Sequence, residues 1–398
     1  MHDKVIFLCC VFIAITIPQA FSYEIEMAGS ISIESRWFPH KAQFPDQFNG
    51  AQNSIALEPE WDVQINNNHL LSFIPFARLD ARDNRRTHAD IREAYWLNIQ
   101  DDWELLIGVN REFWGVTESR HLVNIINQID QVENIDEEDF LGQPMINLAI
   151  QRDYGRFSFF ILPYFRERTF PGEDGRLRSA LVVRENNVDY ESSAEEWHTD
   201  AAFRYSHYIG DWDIGLSYFY GTGREPTLLP NATETRLIPR YDIINQAGLD
   251  LQYTYEEWLW KFEGIIREGQ GDTFAATVAG FEYTFFQAFD SNADIGFLVE
   301  HLYDGRDKTG APQTILENDL FLGMRYTFND VQDTSVLAGT IIDLEDESYS
   351  VRVEGERRLG DTFKLELEGQ LFANTRSTSN TASVKDDDFI TVRLSKFF

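Results

Sequence analysis

Tyr349-Ser350-Val351-Arg352-Val353-Glu354-Gly355-Glu356, Phe363-Lys364-Leu365-Glu366-Leu367-Glu368-Gly369-Gln370-Leu371 and Ile390-Thr391-Val392-Arg393-Leu394 alternate apolar with polar or charged residues. A period of two sends successive side chains to opposite faces of a strand, so each run has one apolar and one charged face. A short turn, Leu359-Gly360-Asp361, separates the first two runs, and a longer polar stretch, 375–384, separates the last two. One short and one long connection around a two-faced strand is the unit from which the rest can be read.

Working outward, the same alternation predicts eighteen strands, at 24–37, 52–65, 69–82, 90–100, 102–112, 144–152, 155–166, 197–209, 212–223, 243–255, 257–269, 273–286, 292–304, 316–329, 333–344, 347–357, 361–374 and 385–398. Most are longer than the five or six residues typical of soluble sheets, and they suit tilted membrane strands. The connections fall into two interleaved series. Asn66-Asn67-Asn68, Asp101, Asp153-Tyr154, Gly210-Asp211, Glu256, Asp290-Ser291, Asp330-Val331-Gln332 and Leu359-Gly360-Asp361 are short turns. Segments 38–51, 83–89, 113–143, 167–196, 224–242, 305–315 and 375–384 are mostly long and polar, with two short members near 270–272 and 345–346. The expected fold is therefore all-β: a transmembrane antiparallel β-barrel of about 18 strands, with long extracellular loops and short periplasmic turns. No fixed repeat period appears, which excludes a β-helix or propeller.

Residues 1–22 read as a signal peptide, with Lys4 in a short charged start, an apolar run from Val5 to Ile17, and small residues at Ala20 and Ser22. The barrel is then expected over 23–398. Both cysteines, Cys9 and Cys10, lie in the leader, so no disulfide is expected beyond it. No later stretch approaches eighteen apolar residues, which excludes a helical membrane protein. The leader holds one Lys and one Asp, so the remainder keeps the formal charge of −32. That balance excludes nucleic acid as a partner and fits an acidic pore or acidic surface loops.

With apolar positions toward lipid, the intervening ones face the lumen. Arg156, Ser158, Tyr164, Arg166 and Arg168 are assigned inward on one strand, and His198, Asp200 and Arg204 on the next. Lys261, Glu263, Arg267, Asp319 and Arg325 follow. Arg352, Glu354, Glu356, Lys364, Glu366, Glu368 and Arg393 are expected to form a charged ladder whose opposed charges favour register. Trp103, Trp212, Trp258, Trp260, Tyr218 and Tyr283 fall on apolar faces as membrane anchors. No apolar path through the lumen is visible in the pattern.

Segment 113–143 is the third long connection. His121 to Gln131 carries Leu122, Val123, Ile125, Ile126 and Ile129 at helical spacing, followed by Asp130, Glu133, Asp136, Glu137, Glu138 and Asp139. The arrangement resembles that of porins, whose third outer loop folds inward and narrows the barrel with carboxylates facing a basic wall. That resemblance implies a constriction loop whose acids face Arg156, Arg166, Arg168 and Arg204. An external lid, or a cation-binding loop bridging lipopolysaccharide, is the other reading. The stretch from Leu106 to Glu118, with its Phe113-Trp114-Gly115, followed by Asn127 and Asp130, is also similar to a segment of a largely uncharacterised family of Gram-negative outer-membrane barrels.

Ile390, Val392, Leu394, Lys396 and Phe398 share one face, and this ending resembles the signal that outer-membrane barrels present to their insertion machinery. None of His40, His69, His88, His121, His198, His207 and His301 sits in a recognisable nucleophile or metal motif, so no catalytic residue, metal or cofactor is assigned. The expectation is a porin or channel in the outer membrane for small polar or charged solutes, open to a homotrimer. The alternative is a non-conducting barrel acting as receptor, adhesin or envelope-complex component.

Overall fold

The structure, a computed structural model, describes residues 23–184 and 186–398; the expected signal peptide lies outside them. Eighteen antiparallel strands form one sheet. They are β1 (Glu24–Phe38), β2 (Gly50–Asn66), β3 (His69–Asp80), β4 (His88–Ile99), β5 (Trp103–Asn110) and β6 (Gln143–Arg152). Next come β7 (Gly155–Leu162), β8 (Asp200–Ile209), β9 (Trp212–Thr222), β10 (Ile243–Tyr255), β11 (Trp258–Glu268) and β12 (Phe274–Phe285). The last six are β13 (Asp294–Asp304), β14 (Asn318–Thr327), β15 (Ser335–Asp343), β16 (Tyr349–Leu359), β17 (Phe363–Ala373) and β18 (Phe389–Phe397).

Each strand pairs with its sequence neighbours, and β18 returns to β1, with Arg393 opposite Glu34. The ring is closed and has no free edge, so every strand satisfies its backbone polar groups within the sheet. A lipid bilayer demands that of anything crossing it without helices. Pro75 sits at a register shift in the β3–β4 pair, where a missing N–H is tolerated.

The outward face is apolar. Ile31, Ile33, Leu57, Phe73, Leu216, Leu322, Leu367 and Val392 are exposed there. Toward the short-turn rim the outward residues become aromatic and touch one another. Trp212 stacks on Tyr253 at 4.5 Å, Trp258 on Trp260 at 5.6 Å, and Tyr283 meets Phe285 edge-on at 4.7 Å. This is an interfacial girdle under an apolar band, the architecture of an outer-membrane barrel.

The strand count and faces match the sequence reading, with three differences. β7 ends at Leu162, just before Pro163, so Tyr164, Arg166 and Arg168 lie in the following loop rather than on a strand. The 121–131 stretch is irregular chain, not helix. Its apolar residues are spaced to meet a wall, and that contact needs no helical backbone. The charged ladder is only partly made of directly opposed pairs: Glu366 faces Arg393 across β17 and β18, but between β16 and β17 like charges stand opposite. Glu354 faces Glu368 and Glu356 faces Glu366, while Arg358 faces Lys364. The attraction runs diagonally, Lys364 reaching Glu356 at 2.7 Å and Arg352 reaching Glu368 at 3.2 Å. Register here is set by inward–outward alternation, which a one-residue slip would invert.

Candidate functional site

The long segment between β5 and β6, residues 111–142, runs into the barrel rather than over it. Two arms can be followed from its contacts. The first begins at Glu112, whose N–H is held by Asn127, and lays residues 116–123 against the far wall. There Glu263 of β11 accepts the N–H groups of Val116 (2.6 Å), Thr117 (3.0 Å) and Val123 (3.1 Å) and the Thr117 hydroxyl (2.8 Å). Glu300 of β13 accepts the N–H groups of Glu118 and Ser119, both at 2.8 Å, and the Ser119 hydroxyl at 2.6 Å. Glu118 in turn receives Arg325 of β14 at 2.7 Å. Two wall carboxylates thus satisfy a run of irregular backbone that would otherwise have no partners.

The same arm carries the loop's apolar residues. Trp114, Leu122, Val123, Ile125 and Ile126 are buried in one cluster with Leu106, Met145, Phe160, Phe219, Ile244, Ile265, Val278, Leu298, Leu302 and Phe321. Wall members such as Ile265 and Val278 share the inward face with Glu263. This part of the lumen is filled by apolar side chains, whereas the sequence pattern showed no apolar path there. The signal was present in Phe160, Ile265 and Phe321, apolar residues at inward positions of alternating strands. It was masked because outward neighbours such as Phe159 and Ile266 are apolar too.

The second arm holds the acids. Asp130 is fully buried, receives Arg92 of β4 at 2.7 Å and the Thr169 hydroxyl at 2.7 Å, and lies 3.2 Å from His88. Burial opposes its ionisation, but the His88 contact and Arg92 hold the carboxyl well below the usual range. Glu133 receives Arg78 of β3 at 2.6 Å, and its carbonyl accepts Arg86 at 3.2 Å. Asp136 receives Arg352 of β16 at 2.6 Å, and the neighbouring Asn134 reaches Glu368 of β17 at 3.1 Å. Glu137 takes Arg168 at 3.1 Å. The two arms together are tied to β3, β4, β11, β13, β14, β16 and β17, so the loop bridges the lumen from side to side.

Glu138 and Asp139 differ from the other acids, since both are exposed and neither carboxylate is paired among the described residues. Both carboxylates are nevertheless surrounded by wall and loop atoms, which keep bulk water partly away from them. For Glu138 that enclosure, then Asp136, push the carboxyl up to about 7 against the pull of Arg352. For Asp139 the enclosure, then Glu133 and Asp136, also raise it to about 7.

Of the basic residues assigned from sequence, Arg168 meets the loop's acids directly and Arg166 meets its backbone, through the Gly142 carbonyl at 2.7 Å. Arg204 is inward but pairs with Asp250 at 2.8 Å and lies 4.9 Å above the Trp114 ring. Arg156 is inward but pairs with Glu104 on the wall. The principal basic partners, Arg78, Arg86, Arg92 and Arg352, come mostly from strands before the loop or near the chain's end. Of these, the sequence reading assigned only Arg352 inward, as a ladder member, although Arg78 shares the polar face of β3 with Ser72 and Asp80. Partners brought together by barrel closure leave no local spacing in the sequence.

No protein-family model matches the chain, and no curated protein is similar to it in sequence. Solved structures do match. A BenF-like porin from Pseudomonas fluorescens aligns with a TM-score of 0.56 at 8% identity, over 95% of this chain and 98% of that one. OpdQ of Pseudomonas aeruginosa aligns at 0.51 and 11%, over 94% and 97%. Wzi of Escherichia coli, an outer-membrane carbohydrate-binding β-barrel involved in capsule assembly, aligns at 0.56 and 8%, over 92% and 83%. At such identities the likeness establishes the fold alone, a closed porin-like β-barrel.

Proposed function

We propose that the chain is an outer-membrane channel passing small polar or charged solutes, cations by preference, through a lumen narrowed by segment 111–142. The observation that carries this reading is the tethering of that segment to opposite walls, with its ion-paired acids engaged in anchoring and Glu138 and Asp139 left facing water. Unpaired carboxylates beside a narrowed path attract cations and repel anions. The inward Glu354, Glu356 and Glu366 support the same sign. Lipopolysaccharide around the outer rim, the insertion machinery at Phe398 and a homotrimer belong to the same reading.

The test is electrical. The purified barrel, checked for heat-modifiable migration, is recorded in a planar bilayer under a salt gradient, with and without residues 120–140. Truncation should raise single-channel conductance, and the intact protein should give a cation-selective reversal potential. An unchanged conductance would sink the constriction. A second reading, a non-conducting receptor, adhesin or envelope component, is favoured by the buried apolar cluster that packs the loop against one sector of the wall. Folded protein without conductance would decide for it.

A further inference from the structure

Residues 170–178, the tip of the loop between β7 and β8, do not stay above their own strands. They cross the outer mouth to the rim of β18, β1 and β2. Gly172 N–H donates to Asp83 at 2.9 Å, and Arg85 reaches the Phe170 and Pro171 carbonyls at 3.4 and 3.3 Å. Farther along, Phe48 N–H donates to the Asp174 carbonyl at 3.0 Å and Gln47 to that of Gly175 at 3.0 Å. At the end of the crossing Arg176 is locked. Its guanidinium binds the Asp387 carboxylate at 2.6 Å and the Asp386 carbonyl at 2.6 Å, and it stacks 4.6 Å from the Phe38 ring. Leu177 N–H donates to the other Asp387 oxygen at 2.7 Å, and its side chain is buried with Phe38, Phe48 and Phe389.

Two features mark this crossing as a conformation held in place rather than a relaxed loop. Leu177 has φ +56°, a left-handed backbone that a leucine enters only when its surroundings impose it. Gly172 and Gly175 press so closely on Asp83 that a Cβ would stand 2.4 and 2.3 Å from its oxygens. Beneath the crossing lies the acidic arm. A narrow, partly open pocket of about 20 Å³ is lined by Pro171, Arg176 and Leu177 together with Gln131, Val132 and Asn134. Ile135 of segment 111–142 packs against the cluster that holds Leu177, so the crossing covers the segment from outside while the wall ties it from within.

We infer that residues 170–178 form an external strap, latched by Arg176 and Asp387, whose release uncovers the acidic arm and opens the outer mouth. Contacts at both ends hold the strap shut, and the strain at Leu177 is relieved when the Arg176 end lets go. The part of this inference that concerns current flow rests on the channel reading above. The uncovering of the arm does not.

The test therefore uses two readouts. Val132→Cys, in a chain with Cys9 and Cys10 replaced by Ser, places one thiol under the strap. Its labelling by a membrane-impermeant maleimide is followed on intact cells. Asp387→Asn and Arg176→Gln should each speed labelling by about tenfold or more, as opening of a local unit becomes easier. Heat-modifiable migration confirms that the barrel has folded. Bridging Arg176→Cys and Asp387→Cys with a short bis-maleimide should then hold the channel in its low-conductance state. Unchanged labelling in both latch variants overturns the strap. Faster labelling in a barrel that never conducts upholds the strap and overturns the channel reading instead.

Discussion

Thr117 gives Glu263 both its backbone N–H, at 3.0 Å, and its hydroxyl, at 2.8 Å, onto a single carboxylate oxygen. The loop is thus docked by a carboxylate that the wall supplies. Glu263→Ala should leave the N–H groups of Val116, Thr117 and Val123 without their acceptor, at about 1–3 kcal/mol for each group that finds no water. The first arm is expected to detach while the barrel stays closed. Planar-bilayer recording should show a larger and noisier conductance, and the heat-modifiable shift should persist. Glu263→Gln keeps one acceptor oxygen and should fall between the two.

The second arm depends on buried ion pairs. Arg78 and Glu133 are each about 4% exposed in their side chains and 2.6 Å apart. Arg78→Ala strands the Glu133 carboxylate in the interior, a change that typically costs about 3–5 kcal/mol. Arg86 and His88 compensate in part, since His88 lies 3.7 Å from the same carboxylate. Proteolysis from outside should cut within 129–139 in the variant and not in the parent. Equal resistance would remove Arg78 from the anchoring set.

Glu138 and Asp139, each raised to about 7 from ordinary values of 4.5 and 3.8, predict a pH effect with a definite sign. The folded loop holds these protons more tightly than an undocked loop would. Its docking is favoured below the ordinary values and weakens as pH rises from about 4 to about 7. Over the upper part of that window the free edge of the loop also gains negative charge. Reversal potentials measured from pH 5 to pH 9 should become more cation-selective, with the change centred near neutrality. Glu138→Gln with Asp139→Asn should flatten the curve. A flat curve in the parent would assign selectivity elsewhere.

The strands were legible because alternation is local: the charged faces of 349–371 predict their orientation without knowledge of any partner. Segment 111–142 was legible as an unusual loop from its length, its apolar run and its acids. Its anchors were not, since Arg78 and Arg92 precede it on β3 and β4 while Arg352 lies more than two hundred residues beyond it. Closure of the ring brings these together. In sequence, Trp114-Gly115-Val116-Thr117-Glu118 shows only a likeness to other barrels, and its role here is physical. It is the part of the loop that meets Glu263 and Glu300. Asp387 and Arg176 had no sequence signal, because nothing local says that one outer loop will cross to another.

A last prediction separates the two faces of one strand. Leu367, in the middle of β17, points outward and is 48% exposed to the lipid side, while its neighbour Glu366 points inward opposite Arg393. Leu367→Arg places a charge on the apolar band near its centre and should cost about 2–4 kcal/mol in a bilayer. Glu366→Gln stays in the wet lumen, loses one partner of Lys364 at 3.3 Å, and should cost less than about 1 kcal/mol. Urea unfolding in lipid vesicles, followed by tryptophan fluorescence, measures both. If the two variants were equally stable, the inward and outward assignment of β17 would be reversed or its face would not meet lipid. By the period of two, the same reassignment would extend to Leu365, Leu371 and the paired positions on β16 and β18.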